Sequence, residues 1–288
     1  MTGDYYGQIK IYNQNSLVNS FKAHSGSIYR IKQSPFNTNY VATCSHYETA
    51  KIWNVSSSFN WTLIRTYSQH STDVWSLEWL DKDTLASGDW RDKTIKLWSM
   101  ATGQTKRTIE TNQYVFCLKL LNNNIHLAAG LENGDINIYN INDGNLVSSL
   151  KGHTNLVNDL VQISADLLAS SSGDQTVRIW NLTTNTCKFI LTGHTNWVYG
   201  LKQITSNILA SGSLDTTIKL WDITTGQLIR TLTGHTSDIW WSVDLLNSQT
   251  LVSGSFDQTI KLWNWSTGEC FSTIQTPDSI FAMAVINF

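Results

Sequence analysis

Proline is almost missing: Pro35 and Pro277 are the only two in 288 residues. Helix-capping patterns are scarce as well, so the chain reads as strands joined by Gly, Asn, Ser and Thr turns. Charge is sparse, at 15% of residues, and balanced, with 20 Lys and Arg against 22 Asp and Glu. No run of like charge forms a tail, and nothing in the balance favours nucleic acid or an anionic membrane surface. No apolar stretch reaches the length of a membrane span, and Met1-Thr2-Gly3-Asp4 does not open a signal peptide. Cys44, Cys117, Cys187 and Cys270 are scattered without a CxxC pair, which fits reduced thiols in an intracellular protein. The expected location is cytoplasmic, with the nucleus as the alternative. Asn54, Asn60, Asn181 and Asn264 open Asn-x-Ser/Thr triplets, but three follow a strand-ending Trp and read as by-products of a repeat. There is no HExxH, no nucleophile elbow and no P-loop.

Tryptophan, in contrast, is abundant, with 13 copies. Short strands end in an aromatic residue at Tyr12, Trp53, Trp98, Tyr139, Trp180, Trp221 and Trp263. The steps between them are 41, 45, 41, 41, 41 and 42 residues. A period of this length built from short β-runs is the mark of a propeller with one blade per repeat. Trp61, Trp75, Trp79, Trp90, Trp197, Trp240, Trp241 and Trp265 lie outside the repeat position. Any of these on an exposed face would suggest a contact surface, since Trp and Tyr are favoured interface anchors.

The cleanest unit runs from Gly193 to Asp222. Trp197 to Ile204 reads as a first strand, Ile208 to Ser213 as a second, and Thr217 to Trp221 as a third, alternating with period two. Gln227 to Leu232 is the fourth. The expected fold is all-β: a seven-bladed β-propeller of four-stranded antiparallel blades forming one domain over residues 1–288. Each blade is apolar on both faces and must stack on its neighbours.

The blocks Gly152-His153, Ser170, Asp174 and Trp180-Asn181; Gly193-His194, Ser211, Asp215 and Trp221-Asp222; and Gly234-His235, Ser253, Asp257 and Trp263-Asn264 resemble the WD40 repeat family. His70, Ser87, Asp92 and Trp98 form a looser fourth block. The resemblance covers essentially the whole chain. It implies that the His, Ser, Asp and Trp of each block join in a buried hydrogen-bond network. The chemistry suits that role: an indole N–H needs an acceptor, a hydroxyl accepts and donates, and a carboxylate orients an imidazole. Ser, His and Asp also suggest a hydrolase triad. Four copies at one spacing argue for bracing instead, because catalysis needs one copy presented to substrate.

Two units depart from the pattern. The one ending at Trp53 keeps His24 and Thr43 but has Tyr47 at the Asp position. The one ending at Tyr139 has Ala129 and Asn133 at the Ser and Asp positions and lacks the His. These blades are expected to rest on apolar packing and to open most readily. Six complete repeats occupy 22–278. A closing blade is shared between 1–21 and 279–288, with Gly7 to Tyr12 as third strand, Leu17 to Phe21 as fourth and Ile280 to Ile286 as first. Its second strand has only Met1-Thr2-Gly3, too little for a full strand. Either the blade closes imperfectly or the sequence is a piece of a longer protein.

In the family, the turns before the first strand and between the second and third strands open on the top face, where partners commonly bind. By this resemblance Tyr29, Trp75, Phe116, Asn158, Tyr199, Trp240 and Phe281 line the top entrance of the channel, either as an aromatic collar or as core between blades. In the sixth complete unit, Ile239-Trp240-Trp241 holds an extra position, and either register leaves an aromatic ring there. The 45-residue step contains four extra residues, three around Ser56 to Asn60 on the bottom face and one in the top turn Asp89-Trp90-Arg91-Asp92. Trp90 and Arg91 beside Trp75 make a typical hot-spot pair. Partner-binding candidates are therefore Trp75, Trp90, Arg91, Tyr29, Phe116, Tyr199, Trp240 and Phe281. Of six arginines only Arg30 and Arg91 map near the top, which disfavours a phosphopeptide reader.

The expected function is a non-catalytic scaffold or adaptor that holds a peptide segment or partner protein on its top face, as a monomer within a larger complex. Alternatives are a substrate-recruiting subunit, for example of a ubiquitin ligase, or a piece of a multidomain regulator. A channel-metal hydrolase would need carboxylates converging at one height. The first strands offer Glu78, Asp159 and Asp244 at different heights. No cofactor, metal, nucleic acid or membrane is expected.

Overall fold

A computed structural model describes residues 1–13, 16–47, 49–56 and 60–286. Every regular element among them is a strand. The strands form seven four-stranded antiparallel sheets. In the fifth blade the strands are Val198–Gln203, Ile208–Ser213, Ile218–Asp222 and Gln227–Leu232, close to the spans read from the sequence of this unit. The first strands lie innermost and contact one another from blade to blade around the ring. Outermost are the fourth strands, whose outer residues Leu146, Val147, Ile190, Leu228, Ile229 and Phe271 stay exposed.

The third strands show why the pattern works. Ile218, Leu220 and Trp221 are at most 1% exposed, so apolar side chains on both faces of the strand are covered. One face meets the blade before and the other the blade after. Trp221 and Leu209 pack with Ala169 and Ile179 of the fourth blade, and Trp180 and Leu168 pack likewise with Ala128, Ile136 and Ile138 of the third. Burial of each such Leu or Ile is worth about 1.5–3 kcal/mol, and the ring leaves no blade face without a partner.

The closing blade joins the termini in the order Ile280–Met283, Thr2–Asp4, Gln8–Asn13, Ser16–Lys22. Its first strand is shorter than the predicted 280–286. Its second strand has three residues but pairs on both sides: Thr2 opposite Lys10 and Met283, Gly3 opposite Ile9 and Ala282. The Met1 ammonium adds a hydrogen bond to the Ala284 carbonyl at 3.1 Å. Three residues therefore do close the ring. Asp4 and Asp278 hold the Lys10 ammonium at 2.6 and 2.5 Å across the two chain ends.

The extra position in the sixth blade is Trp241. Ile239 is fully buried and Trp240 sits in the ring of collar residues, while Val243 pairs with Ser253. Between them Trp241 turns into the central channel, making a parallel bridge to Ala282. Of the predicted bottom-face insertion, Ser57, Ser58 and Phe59 lie outside the described residues.

Candidate functional site

The four complete networks form as the residue chemistry requires. In the fifth blade Trp221 Nε1–H donates to Ser211 Oγ at 2.8 Å, Ser211 lies 2.8 Å from His194 Nε2, and His194 Nδ1 lies 2.7 Å from Asp215 Oδ2. A carboxylate only accepts, so Nδ1 carries the proton, Nε2 accepts from the Ser hydroxyl, and the hydroxyl oxygen accepts from the indole. Every group is used. His70, His153 and His235 repeat the arrangement, with His–Asp distances of 2.7–2.8 Å and His–Ser distances of 2.6–2.7 Å. Burial opposes the charge of Asp174 and Asp215. The bonds from His and from the Thr two residues on outweigh it and hold both carboxyls well below their usual range.

The first blade has a variant of this network, rather than apolar packing alone. His24 Nε2 lies 2.7 Å from Thr43 Oγ1, which also accepts from Trp53 Nε1–H at 2.9 Å. Tyr47, at the Asp position, has a backbone φ of 75° and is exposed. Thr49 takes over, its hydroxyl 3.1 Å from His24 Nδ1. Its counterparts Thr94, Thr176, Thr217 and Thr259 donate to the turn Asp, and the Thr176 and Thr259 hydroxyls also lie 3.3 and 3.2 Å from the His Nδ1 of their blades. Without an anion beside it, burial pushes the His24 imidazole down to about 3, with the Lys51 charge adding to the effect. In the third blade Tyr139 is buried, its hydroxyl 3.1 Å from Asn137 Nδ2, and Asn137 is also bonded by the Ser149 hydroxyl.

These networks fix the turns that build the top face. The residues predicted to line the entrance do converge there and pack ring on ring. Tyr29 stacks on Trp75 at 4.5 Å, Trp75 meets Phe116 at 5.2 Å, Tyr199 meets Trp240 at 4.4 Å, and Trp240 meets Phe281 at 5.2 Å. Tyr29, Phe116, Tyr199 and Phe281 are buried and form a floor, while Trp75 and Trp240 are half-buried. Collar and core are thus one layer. The gap in the aromatic circle is at Asn158, fully buried, whose Nδ2 donates to the Val198 carbonyl.

Trp241 stops the channel beneath this layer. Its indole N–H donates to the Asn158 carbonyl at 3.1 Å, and the Arg30 guanidinium lies 4.3 Å over its ring. Arg30 also donates to the Asn158 carbonyl and pairs with Asp159 at 3.5 Å. Arg30 is buried, so it is not on offer to a ligand at the rim. Below Trp241, Glu78 pairs with Lys32 and Lys119, and Asp244 with Lys202 at 2.5 Å. The three channel carboxylates are each matched to a cation and do not share one ligand position.

Trp90 extends the aromatic surface outward. Its ring lies 5.8 Å from Trp75 and 6.2 Å from Tyr114, and the Arg91 guanidinium covers it at 4.9 Å. Trp90 is half-buried and Arg91 exposed. Buried Asp89 shapes the turn, accepting from the backbone N–H groups of Arg91 and Asp92 and from the Thr72 hydroxyl. With His70 and Asp92 it forms a compact set of metal-type ligands. Their atoms are already engaged, Asp92 Oδ2 with His70 and with the Lys96 ammonium at 3.3 Å, so the set is occupied as a turn anchor.

Further rings, none of them among the predicted contact residues, border this surface. Tyr5, Tyr6 and Tyr47 are about 60% exposed. Tyr5 lies 5.8 Å from Phe281 and 5.6 Å from Tyr6, and Phe256 stacks on Trp240 at 5.5 Å. All four occupy turns between second and third strands, the same kind of turn that carries Trp90 and Arg91.

Five segments, 15–54, 61–99, 144–181, 185–222 and 226–264, match the family model described as WD domain, G-beta repeat. The unmatched stretch between 99 and 144 contains the blade lacking the His, Ser and Asp. Protein SPA1-RELATED 3 of Arabidopsis thaliana is 26% identical over 184 residues, 59% of this chain and 21% of that protein. Anaphase-promoting complex subunit cdc20 of Dictyostelium discoideum is 28% identical over 171 residues, 57% of this chain and 34% of that protein. Nucleoporin SEH1-B of Xenopus laevis is 30% identical over 73 residues, 24% of this chain and 20% of that protein. The matched stretch therefore spans only about a fifth to a third of the length of these relatives. Repeat matches over most of the sequence, seven four-stranded blades and the recurring His–Ser–Trp networks together place the chain in the WD40 repeat family.

Proposed function

We propose that the chain is a non-catalytic interaction platform that holds a peptide segment or partner protein on its top face. The observation that carries this reading is the aromatic surface there: Trp75, Trp90 and Trp240 half-exposed, flanked by exposed Tyr5, Tyr6 and Tyr47 and by Arg91. Large rings on a rigid floor bury area at small entropic cost, which is how interface hot spots are built. WD40 propellers are generally non-catalytic, and in this one each Ser, His and Asp of the repeat is spent on its neighbours. Two of the relatives are named as parts of assemblies, an anaphase-promoting complex subunit and a nucleoporin, which supports work within a complex. Substrate recruitment is the narrower form of the same role. The near-neutral charge argues against nucleic acid or an anionic membrane as partner. The unpaired cysteines fit a reducing compartment, cytoplasmic or nuclear.

The test places a photo-crosslinking residue at Arg91 on the top and, as a control, at Leu146 on the outer edge. Partners captured at position 91, and lost when Trp75→Ala and Trp90→Ala are added without a change in melting temperature, support the reading. Equal capture at 146, or capture at 91 that survives both substitutions, overturns it.

A further inference from the structure

On the bottom face, turns between third and fourth strands are strapped from the neighbouring blade. The strap is the fourth-strand residue just past the bulge. Arg65 of the first blade donates to the Ala101 carbonyl of the second at 2.9 Å. Arg107 of the second donates to the Asn142 and Asp143 carbonyls of the third at 2.7 and 2.8 Å. Arg230 of the fifth donates to the Ser266 carbonyl of the sixth at 3.1 Å. Between the fourth and fifth blades Phe189 does the covering, its ring lying against Gly226. In the third blade the residue is Ser148, opposite Ile138 as Arg230 is opposite Leu220. A serine is too short to strap the fourth blade. At the two seams beside the closing blade the turns lie partly outside the described residues.

A pocket of about 500 Å³ opens at this seam between the third and fourth blades. Ser148 lines it from one blade and Thr183 from the other, with Ile138 and Leu182 as apolar wall. Thr183 stands three residues after Trp180, as Ala101 does after Trp98, Asn142 after Tyr139 and Ser266 after Trp263. Its carbonyl is therefore the counterpart of the carbonyls that take a guanidinium at the strapped seams. Asp166 also lines the pocket, and its carboxylate accepts from the Thr183 hydroxyl at 3.3 Å. Among the described residues no lysine or arginine lines it. A turn carbonyl, a carboxylate without a cation and an apolar wall are complementary to a guanidinium on its methylene stem.

We propose that this pocket takes an arginine side chain from a partner protein, at the bottom rim and away from the aromatic top face. The guanidinium meets the Thr183 carbonyl with Asp166 beside it, and the stem lies along Ile138 and Leu182. Arg65, Arg107 and Arg230 show the same engagement made within the chain. Leu146 and Val147, 55% and 50% exposed, adjoin the opening and offer apolar area to the residues that flank the arginine. That favours an arginine within a polypeptide over the free amino acid.

The test titrates the full chain with an acetylated and amidated peptide copying Leu228–Leu232, which centres on Arg230. NMR and calorimetry follow the binding. The same peptide with citrulline in place of arginine, and free arginine, serve as comparisons. The expected result is saturable binding that shifts the amides of Ser148, Thr183 and Asn185, with the citrulline peptide and free arginine each at least about tenfold weaker. In a second arm Ser148→Arg supplies the strap from within. It should raise the melting temperature by about 1–3 °C and abolish peptide binding. Equal binding of the citrulline peptide, free arginine matching the peptide, shifts confined to other seams, no saturation by millimolar peptide, or undiminished binding to folded Ser148→Arg would each overturn the proposal. The ligand series uses the unaltered chain, so it decides the matter even where the variant folds poorly.

Discussion

Acid should unfold this propeller partly through one histidine. His24 is the imidazole in the repeat networks that faces a hydroxyl, Thr49, where the others face a carboxylate. It is 2% exposed and titrates near 3 in the fold, against 6.5 in the unfolded chain. Between those values the unfolded state binds a proton that the folded state refuses, so stability is complete above pH 6.5 and falls as the pH drops toward 3. Each pH unit is worth about 1.4 kcal/mol, so at pH 4.5 the loss from His24 is about 2.7 kcal/mol. With an unfolding entropy of about 2.1 cal/mol/K per residue over 288 residues, that corresponds to a drop of about 4–5 °C. The assay is calorimetry of the parent and His24→Gln at pH 7.5, 6.5, 5.5 and 4.5. The variant should start less stable, because Thr43 and Thr49 lose a partner, and its melting temperature should fall less between pH 7.5 and 4.5 by about that amount. Parallel pH curves for the two proteins would refute the reasoning, since the other titrating groups are common to both.

Ser211 is fully buried and serves both Trp221 and His194, so Ser211→Ala orphans two groups at once. Equilibrium denaturation should show a loss of about 2–4 kcal/mol. Thr216 is β-branched yet holds a φ of 70° in the turn after Asp215. Thr216→Gly should leave stability unchanged or raise it by up to about 1 kcal/mol, as relieved strain offsets added chain entropy; a loss above 1 kcal/mol would contradict that account. By hydrogen exchange, amides of Ile136–Tyr139 in the third blade should open before those of Val177–Trp180 in the fourth, and the reverse order would show that the His–Asp brace adds nothing to blade stability.

The fold was legible because the repeat sets its own phase. Trp221 and its six counterparts mark third strands, and the second strand read at Ile208–Ser213 agrees with the structure to the residue. The aromatic layer was legible in position but not in depth. Spacing brought Tyr29, Trp75, Phe116, Tyr199, Trp240 and Phe281 to one level, but which rings lie under others depends on packing between distant blades. Thr49 was missed for a physical reason: its hydroxyl replaces the carboxylate from two positions along the turn, so aligning residue types position by position finds only Tyr47. Trp241 was missed as a channel stopper because a one-residue insertion in a strand does not announce which way the extra side chain will turn.

That stopper changes how the ring can fail. Trp241 comes from the sixth blade, Arg30 from the first and Asn158 with Asp159 from the fourth, and they meet on the central axis. A propeller with an empty bore transmits load only around its rim, from each blade to the next. This one has an axle. A blade that loosens at the closing seam, where Met283 pairs with Thr2 and donates its N–H to the Trp241 carbonyl, pulls on spokes that end on the opposite side of the wheel. Damage at the seam should therefore register across the diameter before it travels the circumference.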